Sequence, residues 1–178
     1  NILQAIRLSE RCGLPFYCDE NQWNSVADKS LFRNMCEEYN VPCPCTFFTG
    51  DDLNNEPIET WEYPLVVKPT DCAASVGVHI CNSPTELMEN SKEALAHSES
   101  GKIIVEEMVA GYEFTAHYTI YNGKASLTCL DNRYPTAVHE GSVTTIPAAR
   151  VYPSLFLDEY INQANAAISK MWEGLGIQ

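Results

Sequence analysis

The chain has 178 residues, of which 45% are hydrophobic and 20% are charged, a composition that is ordinary for a globular protein. Its 24 acidic and 11 basic side chains give a formal net charge of −13, which argues against nucleic acid as a partner because phosphate neutralisation needs clustered lysine and arginine. No run of eighteen apolar residues occurs, so we expect no membrane-spanning segment and no membrane partner.

The chain begins at Asn1 rather than at methionine and ends at Gln178, directly after a Gly-Leu-Gly-Ile turn signal, so we expect a piece of a longer protein. Eight cysteines are scattered along it without C-x-x-C pairing, and no basic, apolar leader of the secretory type is present. We therefore expect free thiols and a cytoplasmic location, where thiols stay reduced.

The first third of the chain predicts two helices, each followed by a short strand in or after a proline-containing segment. Gly13 is a typical stop for the first helix, and Pro42 ends the second because the residue before a proline is pushed out of the helical region. The predicted elements are a helix over 2–12, an edge strand over 14–17, a helix over 25–39, a strand over 45–48 and a polar loop over 50–62.

The rest of the chain predicts short strands and two further helices. Ser83-Pro84-Thr85-Glu86 carries a capping-box pattern, and Asn122-Gly123 is a strong hairpin signal. The predicted elements are strands over 64–69, 77–82 and 102–107, a helix over 84–96, a hairpin of 112–121 with 124–131, an irregular stretch over 134–153 and a helix over 154–172. Helices on the faces of small, mostly antiparallel sheets make an α+β fold class.

One segment combines a buried strand with a single cation at its end. The apolar run from Leu65 to Val67 ends on Lys68 and Pro69, small and polar residues follow to Ser75, and apolar alternation resumes at Val76. A strand that delivers one lysine to a pliable loop is one way in which enzymes cover a polyphosphate. Alone, such a lysine is more often a surface residue at a strand end.

A second segment makes the nucleotide interpretation stronger. It runs from Ile103 to Val109 through the pair Glu106-Glu107 and continues as Gly111-Tyr112-Glu113. Adenine needs a flat apolar slot with backbone donors and acceptors at one rim, and a carboxylate is the best acceptor for a ribose diol. The two segments together indicate a nucleotide clamp.

Four blocks in this order resemble the ATP-grasp superfamily. They are Asp28-Lys29, Asn40-Val41-Pro42, Val67-Lys68-Pro69 with Ser75-Val76-Gly77-Val78, and the block from Val105 to Glu113. The Lys68 and Glu106 blocks align without gaps with the D-alanine:D-alanine ligase pattern, and the second is also similar to carbamoyl-phosphate synthase large chains and biotin carboxylases. The resemblance implies an ATP-grasp fold, in which two α+β subdomains with antiparallel sheets flank a nucleotide cleft, here with an incomplete C-terminal part.

The resemblance also implies a division of the chain. Residues 1–24 would be the tail of a preceding domain, 25–109 the small subdomain with the phosphate flap, and 110–178 the truncated large subdomain. It further implies roles for ten residues. Lys29 and Lys68 would contact the phosphates, Ser75, Val76 and Gly77 would form the flap, Glu106, Glu107, Met108 and Val109 would form the adenine hinge, and Glu113 would bind the ribose.

Two departures from the family pattern affect the functional prediction. Ala73 and Ala74 stand where the flap normally carries glycines, which would make the flap stiffer or alter its phosphate contacts. The family's magnesium ligands lie beyond the last helix of this chain, so we expect ATP and magnesium as cofactors with the metal ligands outside it, and we expect the segment alone not to catalyse. No catalytic residue is predicted.

The resemblance implies an ATP-dependent carboxylate–amine ligase, or one like carbamoyl-phosphate synthase. Such an enzyme activates a small-molecule carboxylate, or bicarbonate, as an acylphosphate, and an amine or similar nucleophile then displaces the phosphate. The alternative is a non-catalytic nucleotide-binding sensor, which Ala73 and Ala74 favour slightly. Arg133 and Arg150 could be further phosphate or substrate contacts or surface arginines, and both interpretations stay open.

Overall fold

The computed structural model describes residues 2–135 and 147–177, which form two compact units. The first unit is built from Asn1–Cys43, Phe114–Asn132 and Val151–Gln178, and the second from Pro44–Glu113 and Arg133–Arg150. Helices and antiparallel sheets occur together in the chain, so the predicted α+β class is confirmed. The predicted subdomain boundaries after residues 24 and 109 stay a prediction.

Six α-helices occur within the described residues. They are α1 (Ile2–Cys12), α2 (Glu20–Ala27), α3 (Lys29–Glu38), α4 (Pro84–His97), α5 (Leu157–Gln163) and α6 (Asn165–Gly174). None of the helices in residues 2–135 and 147–177 combines the length and the apolarity that crossing a membrane requires.

The helix predicted over 25–39 is instead two helices that meet at Asp28. This residue ends α2 with extended backbone angles (φ −82°, ψ 123°), and its carboxylate accepts hydrogen bonds from the backbone N–H groups of Ser30 and Leu31. An aspartate in this position satisfies N–H groups that a helix start leaves unpaired. The apolar period alone concealed the break because it continues across it.

Two other predicted elements differ in the structure. The helix over 154–172 is divided at Ala164, whose backbone (φ −123°, ψ −35°) leaves the helical region between α5 and α6. Residues 14–17 form no strand. The rings of Phe16 and Tyr17 stack with centroids 4.5 Å apart, whereas successive side chains of a strand point to opposite faces.

Seven strands occur in the described part of the chain. They are β1 (Thr46–Gly50), β2 (Leu65–Pro69), β3 (His79–Cys81), β4 (Ile103–Glu107), β5 (Glu113–Tyr121), β6 (Lys124–Pro135) and β7 (Pro147–Val151). A 3₁₀ turn at Ile58–Thr60 interrupts the predicted polar loop. The sequence predicts no strand at β7, since Pro-Ala-Ala-Arg-Val has one strand-forming residue, Val151, and no alternation.

The first four strands make one antiparallel sheet in the order β1-β4-β2-β3. The helix α4 packs on one face of this sheet, and Leu65, Val67, Ile103 and Val105 join Leu87 and Ala94 of the helix in the core of the second unit. Ser83 caps α4 through the N–H of Glu86, as the capping-box pattern predicts.

The remaining strands form a second sheet in the order β5-β6-β7. Asn122 (φ 49°) and Gly123 (φ 70°) make the turn between β5 and β6, which confirms the predicted hairpin. All eight cysteines lie in the described ranges and are free thiols.

Candidate functional site

The register of the four-stranded sheet places Lys68 and Glu106 on one face. Val66 pairs with Glu106, and Lys68 pairs with Ile104, so these residues alternate with the core residues that face α4. Ile80 of β3 pairs with Val66 and joins the same face. We call Val66, Lys68, Ile80, Ile104 and Glu106 the Lys68 face of the sheet.

A buried ion pair lies at the centre of the Lys68 face. The Lys68 Nζ atom donates to Glu106 Oε2, and only 17% of the lysine side chain and 2% of the glutamate side chain are exposed. Two charged groups are costly to bury and persist only when each compensates the other. The chain therefore holds one ammonium group, with its orientation defined by a carboxylate, within an otherwise apolar sheet face.

The strand β4 leads from this ion pair into the segment that is predicted to bind adenine. The backbone N–H of Glu107 donates to the carbonyl of Cys45 (3.0 Å), and its side chain accepts from the N–H of Cys45 (2.9 Å). Met108 and Val109 follow as irregular backbone with exposed apolar side chains. Among the described residues, the N–H and C=O groups of Val109 have no hydrogen-bond partner and could meet a base edge.

Glu113 and Arg133 form a second ion pair within the same unit. Arg133 Nη1 lies 3.3 Å from Glu113 Oε2, and the glutamate is half-exposed while the arginine is mostly buried. Glu113 begins β5 only a few residues after the hinge segment. A carboxylate in this place can accept ribose hydroxyls, although here it also has an arginine to neutralise. The sequence predicts the hairpin but ends its second strand at residue 131, so it does not include Arg133 in this pairing.

The predicted flap is a tight turn between β2 and β3. Ala74 (φ 56°), Ser75 (φ 59°) and Gly77 (φ 67°) all have left-handed backbone, which only glycine adopts without cost. Gly77 also sits close to the ring of Pro69, where an added Cβ would lie 3.0 Å from Cγ. Ala74, which stands where the family pattern has glycine, therefore has a backbone conformation that suits glycine.

Two predicted or open positions, Lys29 and Arg150, lie elsewhere in the chain. Lys29 is the first residue of α3 in the first unit, half-buried, where an ammonium group opposes the helix dipole. Arg150 lies in β7 with an exposed side chain. The roles assigned to all ten predicted site residues, and the open roles of the two arginines, stay predictions.

One pairing of polar residues was not found by sequence reasoning. His117 Nε2 lies 2.9 Å from Oδ2 of Asp131, whose side chain is fully buried. The two residues come from β5 and β6, and they lie at unequal distances from the turn at Asn122-Gly123, so the predicted hairpin does not place them directly opposite each other. A charged or polar side chain on an otherwise apolar strand is the only signal that the sequence offers.

The described residues fit a nucleotide better than a metal ion. Lys68 has the charge that phosphates need, Val109 has backbone groups that could meet a base edge, and Glu113 has a carboxylate that could accept from a diol. Across residues 2–135 and 147–177, no group of three His, Cys, Asp or Glu side chains is placed to hold a metal ion.

A family model and several solved structures resemble this chain. The family described as D-ala D-ala ligase C-terminus matches residues 44–137, just over half of the chain. The fold is similar to that of the VanG D-Ala:D-Ser ligase from Enterococcus faecalis, with 20% identity and a TM-score of 0.78 over 98% of this chain and 52% of that one.

Two further solved structures share this fold. An L-amino acid ligase from Bacillus licheniformis is 18% identical, with a TM-score of 0.74 over 97% of this chain and 39% of that one. A D-alanine–D-alanine ligase from Bacillus anthracis, solved in complex with ATP, is 20% identical, with a TM-score of 0.67 over 95% of this chain and 54% of that one. The chain thus spans between 39% and 54% of these relatives' lengths.

Proposed function

We propose that this chain, which belongs to the D-ala D-ala ligase C-terminal family of the ATP-grasp superfamily, is the ATP-binding core of a ligase that joins a small-molecule carboxylate to an amine. The observation that carries the proposal is the buried Lys68–Glu106 ion pair beside the irregular segment at Met108 and Val109. ATP needs a cation for its phosphates and backbone groups for its base, and the paired strands β2 and β4 would supply the first and lead to the second.

In this proposal each group acts by positioning and electrostatics. Lys68 offsets the negative charge of the phosphates, and Glu106 keeps its ammonium group in one orientation. The backbone at Glu107 and Val109 reads the adenine edge, Glu113 accepts from the ribose, and Ser75, Val76 and Gly77 fold over the phosphates. Lys29 contributes a second cation to the phosphate contacts.

The reaction that follows is phosphoryl transfer from ATP to the carboxylate, which gives an acylphosphate and ADP. The amine then attacks the acyl carbon, and phosphate leaves. When bound, magnesium would offset further phosphate charge. The chain contributes placed charges rather than a covalent nucleophile, because phosphoryl transfer depends mainly on alignment and charge stabilisation. Small-molecule substrates and a cytoplasmic location belong to the same proposal.

The test must separate lost binding from lost stability. Lys68→Ala alone would leave the Glu106 carboxylate buried without the ammonium group that compensates its charge, which costs about 3–5 kcal/mol in comparable cases. The double variant Lys68→Gln with Glu106→Gln removes both charges and keeps a hydrogen-bonding pair. We expect it to fold, to lose about 10- to 100-fold in affinity for ATP, and to bind adenosine within about twofold of the wild type.

Isothermal calorimetry with ATP and adenosine measures these affinities, and Lys92→Gln on the exposed face of α4 is the matched charge control. Unchanged ATP affinity in the folded double variant would remove Lys68 from the phosphate site. Turnover, measured in a longer protein that carries this chain together with the segment expected to hold the magnesium ligands, then distinguishes a ligase from a nucleotide sensor. ADP release that depends on an added carboxylate such as D-alanine identifies a ligase, whereas a sensor binds ATP and releases no ADP with any carboxylate tested.

A further inference from the structure

The proposed phosphate flap begins with residues 70–72, which we call its stem. Asp71 attaches this stem to the turn between α4 and β4. Its Oδ1 atom accepts from the hydroxyl of Ser98 (3.0 Å), and its Oδ2 atom accepts from the backbone N–H of Ser100 (2.5 Å). Burial acts to raise the pKa of Asp71, but the donors at Ser100 and Ser98 outweigh it and lower the pKa below its ordinary value of 3.8. The carboxylate therefore remains ionised at neutral pH.

The same turn is organised by further hydrogen bonds around this carboxylate. The Ser98 hydroxyl accepts from the N–H of Lys102 (3.0 Å) and contacts the hydroxyl of Ser100 (3.1 Å). Thr70, which precedes Asp71, bonds to this turn through its N–H, which donates to the Lys102 carbonyl (3.1 Å), and through its hydroxyl, 3.2 Å from that of Ser100. The stem and the turn thus form one connected network.

Two more contacts attach the flap on either side of its tip. The Cys72 thiol donates to the carbonyl of His97 (2.9 Å), and the backbone of Gly77 packs so closely that an added Cβ would lie 3.3 Å from the His97 ring. Between these contacts, Ala73, Ala74 and Val76 are exposed. The flap is therefore held at residues 71, 72 and 77 and presents its tip from there.

We propose that Asp71 is a positioning residue, which sets the direction of the phosphate flap by anchoring its stem to Ser98 and Ser100. The inference rests on the proposed function, because it concerns the loop that would cover the phosphates of ATP. It also assigns a role to the turn at 98–102, which no sequence motif marked. Asp71 follows Lys68 by three residues, so the anchor also restrains the strand end that carries the phosphate-binding cation.

The experiment compares affinities for ATP and adenosine in wild-type protein, Asp71→Ala, Asp71→Asn and Ser98→Ala, with Asp51→Asn as an exposed charge control in the same unit. If removal of the anchor leaves the flap correctly placed in about one molecule in ten, the apparent dissociation constant for ATP rises about tenfold. Adenosine has no phosphates, so its affinity should stay within about twofold. Asp71→Asn and Ser98→Ala should have intermediate effects, because each retains part of the network.

The outcomes separate this inference from the proposed function. A wild-type protein that does not bind ATP overturns both. ATP binding that is equally tight in wild type and Asp71→Ala overturns the anchor alone, as does an equal loss for ATP and adenosine, which would indicate a merely structural residue. Should Asp71→Ala fail to fold, Asp71→Asn and Ser98→Ala decide by the same criterion, with folding checked by urea denaturation.

Discussion

Burying the charged side chains of Lys68 and Glu106 costs free energy. A buried ion pair gives little or no stability relative to well-packed apolar residues of similar size, because both charges lose their hydration. Their neighbours on the Lys68 face, Val66 and Ile104, show that the face tolerates apolar side chains. The pair is therefore better explained by a need for charge at that place than by a contribution to folding.

Ala73 and Ala74 allow a matched test of backbone strain in the flap. Ala74 has a left-handed backbone and Ala73 does not, although both are exposed alanines in one turn. We expect Ala74→Gly to raise the free energy of unfolding by roughly 0.5–1 kcal/mol, because it removes a left-handed penalty of about 1–2 kcal/mol and adds a smaller entropy cost in the unfolded chain. Ala73→Gly should lower it by about 0.4–1 kcal/mol.

Urea denaturation of the two variants and the wild type gives the comparison. Opposite signs at adjacent positions are the signature of the backbone effect, since any general loosening of the turn would act in the same direction at both. Two destabilised variants of similar magnitude would show that Ala74 carries no strain.

At the scale of the element, the junction between α2 and α3 depends on one carboxylate. Asp28 Oδ1 accepts from the N–H groups of Ser30 (2.9 Å) and Leu31 (3.0 Å). We expect Asp28→Ala to lower the free energy of unfolding by about 0.5–2 kcal/mol, the usual effect of losing an N-cap, and Asp28→Asn to recover most of it. Asp158→Ala, in the first turn of α5 but without a cap bond, is the control and should cost less than about 1 kcal/mol in chemical denaturation. Equal losses at 28 and 158 would mean that the cap bonds contribute nothing beyond charge.

Elements whose ends carry local signals could be predicted from the sequence, and those defined by pairing could not. Ser83 and Pro84 mark the start of α4, and Asn122-Gly123 marks the hairpin of β5 and β6, because capping and turn chemistry act within four residues. Asp28 is an equally local signal, but the apolar period that continues across it favours a single helix. By contrast, β7 and the contacts of Glu106 and Asp71 depend on register and on a turn distant in sequence, which no local rule supplies.

At the scale of the whole molecule, each compact unit has its own buried residues. The second unit is built on the cluster between α4 and its sheet, whereas Ile6, Cys36, Leu130 and Met171 are buried in the first. The first unit also contains a mainly apolar cavity of about 260 Å³, lined by Trp23, Tyr118 and Trp172 among others. None of the predicted nucleotide-site residues lines this cavity, so those three aromatic residues are assigned no role in ATP binding.

The net charge of −13 gives a prediction that concerns the chain as a whole. Like charges destabilise a compact state, and salt screens them over distances of about 10 Å at 0.1 M. At pH 7 we expect a rise from about 10 to about 150 mM NaCl to stabilise the protein by on the order of 1 kcal/mol, or about 2–4 °C in Tm. The sequence pI is about 4.6, so the same change of salt at that pH should leave Tm almost unchanged, because little net charge remains to be screened. Thermal denaturation followed by circular dichroism at both pH values measures the difference. An equal salt effect at the two pH values would point to specific ion binding or altered hydration and would contradict a stability limited by self-repulsion.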